Sequence, residues 1–170
     1  MVRLWQSKNW TKYIDYTYEY HRCGLRLRFE KNVDKEVRRA CIEFCNWLRS
    51  QYYFPIRVVI YFKDSEFVLS EDKELVSAIF WGPYNKKLEP YIKISTGDFY
   101  KMEQGWGKDE ALAAILCSII HELSHYFQWI KADDETNESE DINLAKKEEM
   151  QVKYCVKKIL REYADIREHP

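Results

Sequence analysis

The stretch Ile115-Leu-Cys-Ser-Ile-Ile-His-Glu-Leu-Ser-His-Tyr-Phe-Gln-Trp-Ile130 constrains the fold more than any other part of the chain. Glu122 is its one formally charged residue. A helix that is apolar around most of its circumference has to be covered by other elements, so this one belongs in the interior. Yet His121, Glu122 and His125 sit at its centre. Burying such groups without partners costs roughly 2–7 kcal/mol each, so something must satisfy them.

The elements that could cover this helix are legible from periodicity. Gly24-Leu-Arg-Leu-Arg-Phe-Glu30 alternates apolar and charged residues, as a half-buried strand does. From Asp34 to about Tyr53, Val37, Cys41, Phe44, Cys45 and Leu48 recur at helical spacing. Pro55 ends that helix, and Ile56–Phe62 reads as a buried strand rich in β-branched residues. Leu75–Trp81 and Tyr91–Ser95 are two further strands joined by a Gly82-Pro83-Tyr84-Asn85 turn. Gly105 and Gly107 punctuate a loop, and Asp109 caps a helix running to about Lys131. Residues 131–141 are acidic and loop-like, and a last helix spans about Asn143–Tyr163. Residues 1–22, aromatic and polar without a period, form an arm or a short helix. The order β-α-β-β-β-α-α implies an α+β fold, a small mixed sheet backed by helices, in one domain over residues 1–170.

Composition excludes several classes. With 46% hydrophobic and 32% charged residues the chain is neither disordered nor membrane-spanning, and no stretch reaches the roughly 18 apolar residues of a span. A formal charge of −1 gives no pull toward nucleic acid or anionic lipid. Arg22, Arg26 and Arg28 beside tyrosines are explained by the solvated face of a strand rather than by RNA binding. The N-terminus lacks a signal-peptide pattern. Five cysteines, an odd number without CxxC spacing, fit a reduced, cytoplasmic setting, with Cys41 and Cys45 on an apolar helix face.

His121 and His125 are one helical turn apart and can converge on one ion, while Glu122 lies beside that face. This is the HExxH arrangement, in which two neutral imidazoles hold Zn²⁺ and the carboxylate acts as general base toward water. The pattern alone arises by chance. Its uncharged flanks distinguish this case, because unliganded polar groups there would be hard to satisfy.

A catalytic zinc site has three protein ligands and an open position. The third-histidine pattern HExxHxxGxxH is excluded, since Gln128 and Lys131 occupy its Gly and His slots. His169, next to the C-terminus, offers only a strained alternative. A last helix returning antiparallel reaches the level of the metal at Glu148 or Glu149. Ala145, Val152, Val156, Ile159 and Tyr163 follow a 4-3 spacing whose missing member is position 149, so Glu149 is the expected ligand and Glu148 its competitor. Asp141 lies too near the helix start, and Glu162 and Asp165 too far along it.

His121-Glu122-Leu123-Ser124-His125, with Glu149, Val152 and Val156 on one face of the following helix, resembles gluzincin-type zinc peptidases. The likeness is to the small ImmA/IrrE-like bacterial and phage branch and covers residues 91–163. It implies a minimal zincin-like domain that hydrolyses a peptide or protein substrate. His121, His125 and Glu149 would be zinc ligands and Glu122 the general base. It also implies that the strand before the active helix, here Tyr91–Ser95, binds substrate backbone by strand addition; the alternative is an ordinary internal strand. Tyr154 and Tyr163 lie on the helix that could supply an oxyanion donor, but neither is singled out. A second functional reading keeps the zinc as a folding staple in a binding or regulatory protein. The two readings differ at Glu122, which only hydrolysis needs.

Overall fold

The computed structural model describes residues 4–6, 9–132 and 142–170. A 3-10 turn at Trp10–Lys12 precedes β1 (Leu25–Phe29), α1 (Lys35–Gln51), β2 (Val58–Lys63), β3 (Val68–Leu69), β4 (Leu75–Val76), β5 (Ala78–Trp81), β6 (Tyr91–Ser95), α2 (Phe99–Trp106), α3 (Lys108–Lys131) and α4 (Ile142–Ala164). The fold is α+β with a small mixed sheet.

The sheet runs in the order β1-β2-β6-β5, with β1, β2 and β6 parallel and β5 antiparallel at the edge. Register aligns apolar side chains into rows on one face: Leu25 beside Val58, Leu27 beside Ile60 and Ile92, Phe29 beside Phe62 and Ile94, with Phe80 and Ala78 completing the rows at the edge. That face meets the helices. The other presents Arg26, Arg28, Tyr61 and Lys93 outward, the half-buried alternation expected of β1.

α1 begins where the Asp34 carboxylate accepts hydrogen bonds from the Glu36 and Val37 N–H groups, and it buries Val37, Ala40, Cys41, Phe44, Cys45 and Leu48. Cys41 and Cys45 are free thiols inside this face; burial pushes the Cys45 thiol up to about 12. α3 is packed by α1, α2, α4, β5 and β6, which is why its sequence is apolar nearly all round.

Three expectations are corrected. The supposed loop at Gly105 contains α2, and Gly107, at φ 89°, makes the break that lets α3 start at Lys108 in a new direction. Asp109 lies in the first turn of α3 and meets His169 Nδ1 at 2.7 Å instead of capping. The single strand over Leu75–Trp81 is two: β4 pairs with β3 and β5 with β6, because the Ser77 carbonyl between them accepts from Ser95 N and Oγ. Of the two readings of the N-terminal segment, the short helix is the one present, as the 3-10 turn at Trp10–Lys12, and it packs on the core. Leu4, Trp5, Trp10 and Ile14 are buried, and Trp5 Nε1 donates to Ser124 Oγ at 3.2 Å on the back of α3. The acidic loop read over residues 131–141 falls mostly on 133–141, outside the described residues, as does Asp141.

Candidate metal centre

α3 carries His121 and His125 toward α4, and their Nε2 atoms stand 3.2 Å apart. Glu149 Oε1 lies 3.4 Å from His125 Nε2. One ligand atom from each of the three falls within 4.8 Å of the others. Glu149, with its side chain 47% exposed, reaches in from the first half of α4. Glu148 faces solvent and enters only through its backbone carbonyl. His169, tied to Asp109 at the far end of α3, is not near the pair.

The periodicity that singled out position 149 is only partly realised. Val152, Cys155, Ile159 and Tyr163 are buried on α4, Val156 is partly covered and Ala145 is exposed. The first two turns of α4 therefore stand clear of the core, and Glu149 lies at the rim where the stripe begins rather than in a core slot.

Gln128, in sequence only an occupant of the wrong slot for a third histidine, organises the site. Its Nε2 donates to the Glu148 carbonyl at 3.1 Å and to Gln151 Oε1 at 3.2 Å. The amide oxygen thus faces His125 Nδ1 at 3.0 Å and accepts a hydrogen bond from its N–H. That tautomer leaves the lone pair of His125 on Nε2, aimed at His121 Nε2. Two imidazole nitrogens at that separation need a proton or a cation between them. Burial, and then the nearby His125, lower the pKa of His121, so its neutral, ligand-competent form is favoured. The donor set suits zinc: bonds of about 2.0–2.2 Å around a tetrahedral ion set donors about 3.3 Å apart, close to the separations seen. A histidine whose second nitrogen is fixed by an amide is also the usual outer arrangement of a metal ligand.

Glu122 is 6% exposed. Burial first, and then the charge of Glu149, push its carboxyl up to about 7, against the Phe80 backbone N–H, which lowers it. Phe80 belongs to β5, the free edge of the sheet. Since Ser95 N bonds the Ser77 carbonyl, hydrogen-bonded pairs alternate along β5, and Ala78 and Phe80 turn their backbone groups away from β6. Tyr91–Ser95 is therefore an internal strand, paired on both sides, and the exposed edge beside the histidines is β5. Gly82 ends β5 where a Cβ would stand 2.6 Å from the Trp129 ring, whose Nε1 donates to the Pro83 carbonyl; this close approach seats the edge strand against α3.

A cleft of about 700 Å³ opens beside His121 and Glu122, walled by Ser77 and Ala78 on one side and by Lys153, Tyr154 and Lys157 of α4 on the other. Tyr154 faces this space. Tyr163 does not: it is buried, and Arg167 Nη1 donates to its hydroxyl at 3.0 Å. No helix among the described residues is long and apolar enough to cross a membrane. Comparison of the chain with protein-family models, curated protein sequences and solved structures gives no match.

Proposed function

We propose that the chain is a zinc-dependent peptidase of zincin-like architecture, resembling the gluzincin type in its motifs and acting on a peptide or protein substrate. The observation that carries this reading is the convergence of His121 Nε2, His125 Nε2 and a Glu149 oxygen, with a buried Glu122 carboxyl beside them at the wall of an open cleft. His121, His125 and Glu149 would hold the ion. A bound zinc supplies Lewis acidity, polarising a carbonyl and lowering the pKa of water to about 7.

The protein's own groups do the rest. The Ala78 backbone groups and the Phe80 carbonyl on the β5 edge, the Phe80 N–H being taken by Glu122, offer hydrogen bonds to an extended peptide and align its scissile carbonyl with the histidine pair. Glu122 takes the proton from the attacking water and delivers it to the leaving amine. A carboxyl poised near neutrality can do both. Gln128 holds the tautomer of His125, and the cleft leaves a side of the site open to substrate, which a closed folding staple would not need.

The test is zinc content and hydrolysis together. Purified wild type should carry zinc near one equivalent, and His121→Ala should lose it. Glu122→Gln should keep the zinc and lose hydrolysis of a casein substrate by at least about a hundredfold, the scale of a lost general base. Protein without zinc, or a Glu122→Gln variant as active as wild type, defeats the reading.

A further inference from the structure

Resting on the peptidase reading, we propose that the cleft selects peptides bearing a carboxylate two to four residues from the scissile bond, received by Lys153 and Lys157. The two lysines are four apart on α4, so they stack on the helix face that closes the cleft opposite His121 and Glu122. No described residue pairs with either, whereas Lys158, on the adjoining face, reaches Glu162 at 3.6 Å. Like charges one turn apart repel, so this pair adds nothing to the helix itself. The acidic side chain lining the cleft is Glu122 in the facing wall, and it is turned toward the edge strand and held by the Phe80 backbone N–H.

The spacing gives the position of the partner charge. Along a helix rising about 1.5 Å per residue, Lys153 and Lys157 stand about 6 and 12 Å beyond the level of Glu149. An extended peptide advances about 3.3 Å per residue. A carboxylate two residues from the reacting carbonyl therefore meets Lys153, and one three or four residues away meets Lys157. Val156 and Ala78, between the charged rows, give the intervening side chain an apolar seat. The carboxylate is either an Asp or Glu side chain or the end of the substrate chain.

The experiment digests two random decapeptide mixtures with the zinc-loaded full chain, one with free and one with amidated C-termini, and reads cleavage sites by mass spectrometry. Bonds with Asp or Glu two to four residues away should be cut about tenfold faster than those with Asn or Gln there, the scale of one well-placed charge contact. Enrichment in the amidated mixture identifies an internal acid; enrichment confined to free C-termini identifies the chain end. The K153M/K157M double variant should bind zinc as wild type does and lose the preference. K153R/K157R should retain it, and K153E/K157E should turn it toward basic residues. Cleavage indifferent to acids overturns this inference and leaves the peptidase reading standing. No cleavage by the zinc-loaded chain overturns both.

Discussion

Glu122 holds its carboxyl where charge is disfavoured, and this has a measurable consequence in the metal-free protein. Burial holds its folded pKa at about 7, above the ordinary carboxyl value of about 4.5. Between those values the folded chain binds more protons than the unfolded one, so this group's contribution is fully present below about pH 4.5 and is lost as pH rises through 7. At 1.36 kcal/mol per pH unit the loss is about 3 kcal/mol. His121 acts in the opposite sense, since its lowered pKa withdraws stability as pH falls, but it is present in both proteins compared. Denaturant melts of chelator-treated wild type and Glu122→Gln should therefore agree near pH 4.5 and diverge toward pH 8, with the variant the more stable. Parallel curves would mean that Glu122 is solvated. At this scale the sequence says much about residue types and little about orientation. His121, Glu122 and His125 stand out because their helix is otherwise uncharged, but nothing in the string shows that Gln128 fixes the tautomer of His125, since that depends on the Glu148 carbonyl and Gln151 twenty or more residues away.

α3 is the element on which the site depends, and its buried face is pinned as well as packed. Tyr126, fully buried, donates from its hydroxyl to the Ile56 carbonyl and accepts from the Ile56 N–H at 3.0 Å, tying the helix to the lead-in of β2. Tyr126→Phe keeps the ring and strands both backbone groups. The expected loss is about 2 kcal/mol, within the cost of unsatisfied buried polar groups, or about 4–8 °C in melting temperature for a chain of this size. An unchanged midpoint would show that water replaces the hydroxyl. The helices α1 and α4 were legible because ten or more residues repeat one apolar spacing, and α3 because its long run is apolar nearly all round. The short elements were not. α2 has eight residues with Gly105 inside it, and β3 has two. Leu75–Trp81 is apolar but for Ser77, and its division there is decided by Ser95 on another strand.

Across the whole molecule, class was readable from the alternation of strand and helix patterns, whereas pairing order was not. The resemblance implied an edge role for β6, with an ordinary internal strand as the alternative; in space β6 is internal, and β5 turns back outside it and takes the edge beside the histidines. The candidate site thus draws on three parts of the chain, the edge strand, α3 and α4, and residues 133–141 join two of them in sequence. Holding Glu149 against His121 and His125 fixes the first turns of α4, which carry little buried apolar surface of their own. An ion bound there would couple α4 to α3 and stabilise the folded state in proportion to the logarithm of its free concentration. At a thousandfold excess over the dissociation constant the gain is about 4 kcal/mol, reduced by zinc binding to Cys41, Cys45 and Cys155, which unfolding exposes. Scanning calorimetry in a zinc buffer should show wild type melting about 5–10 °C above the chelated protein. His121→Ala should melt at one temperature in both, and Glu122→Gln should retain the shift because its carboxylate is not a ligand. Hydrogen exchange should localise the added protection to the first turns of α4 and to residues around Leu123. A zinc-dependent shift that survives in His121→Ala would place the ion elsewhere in the chain.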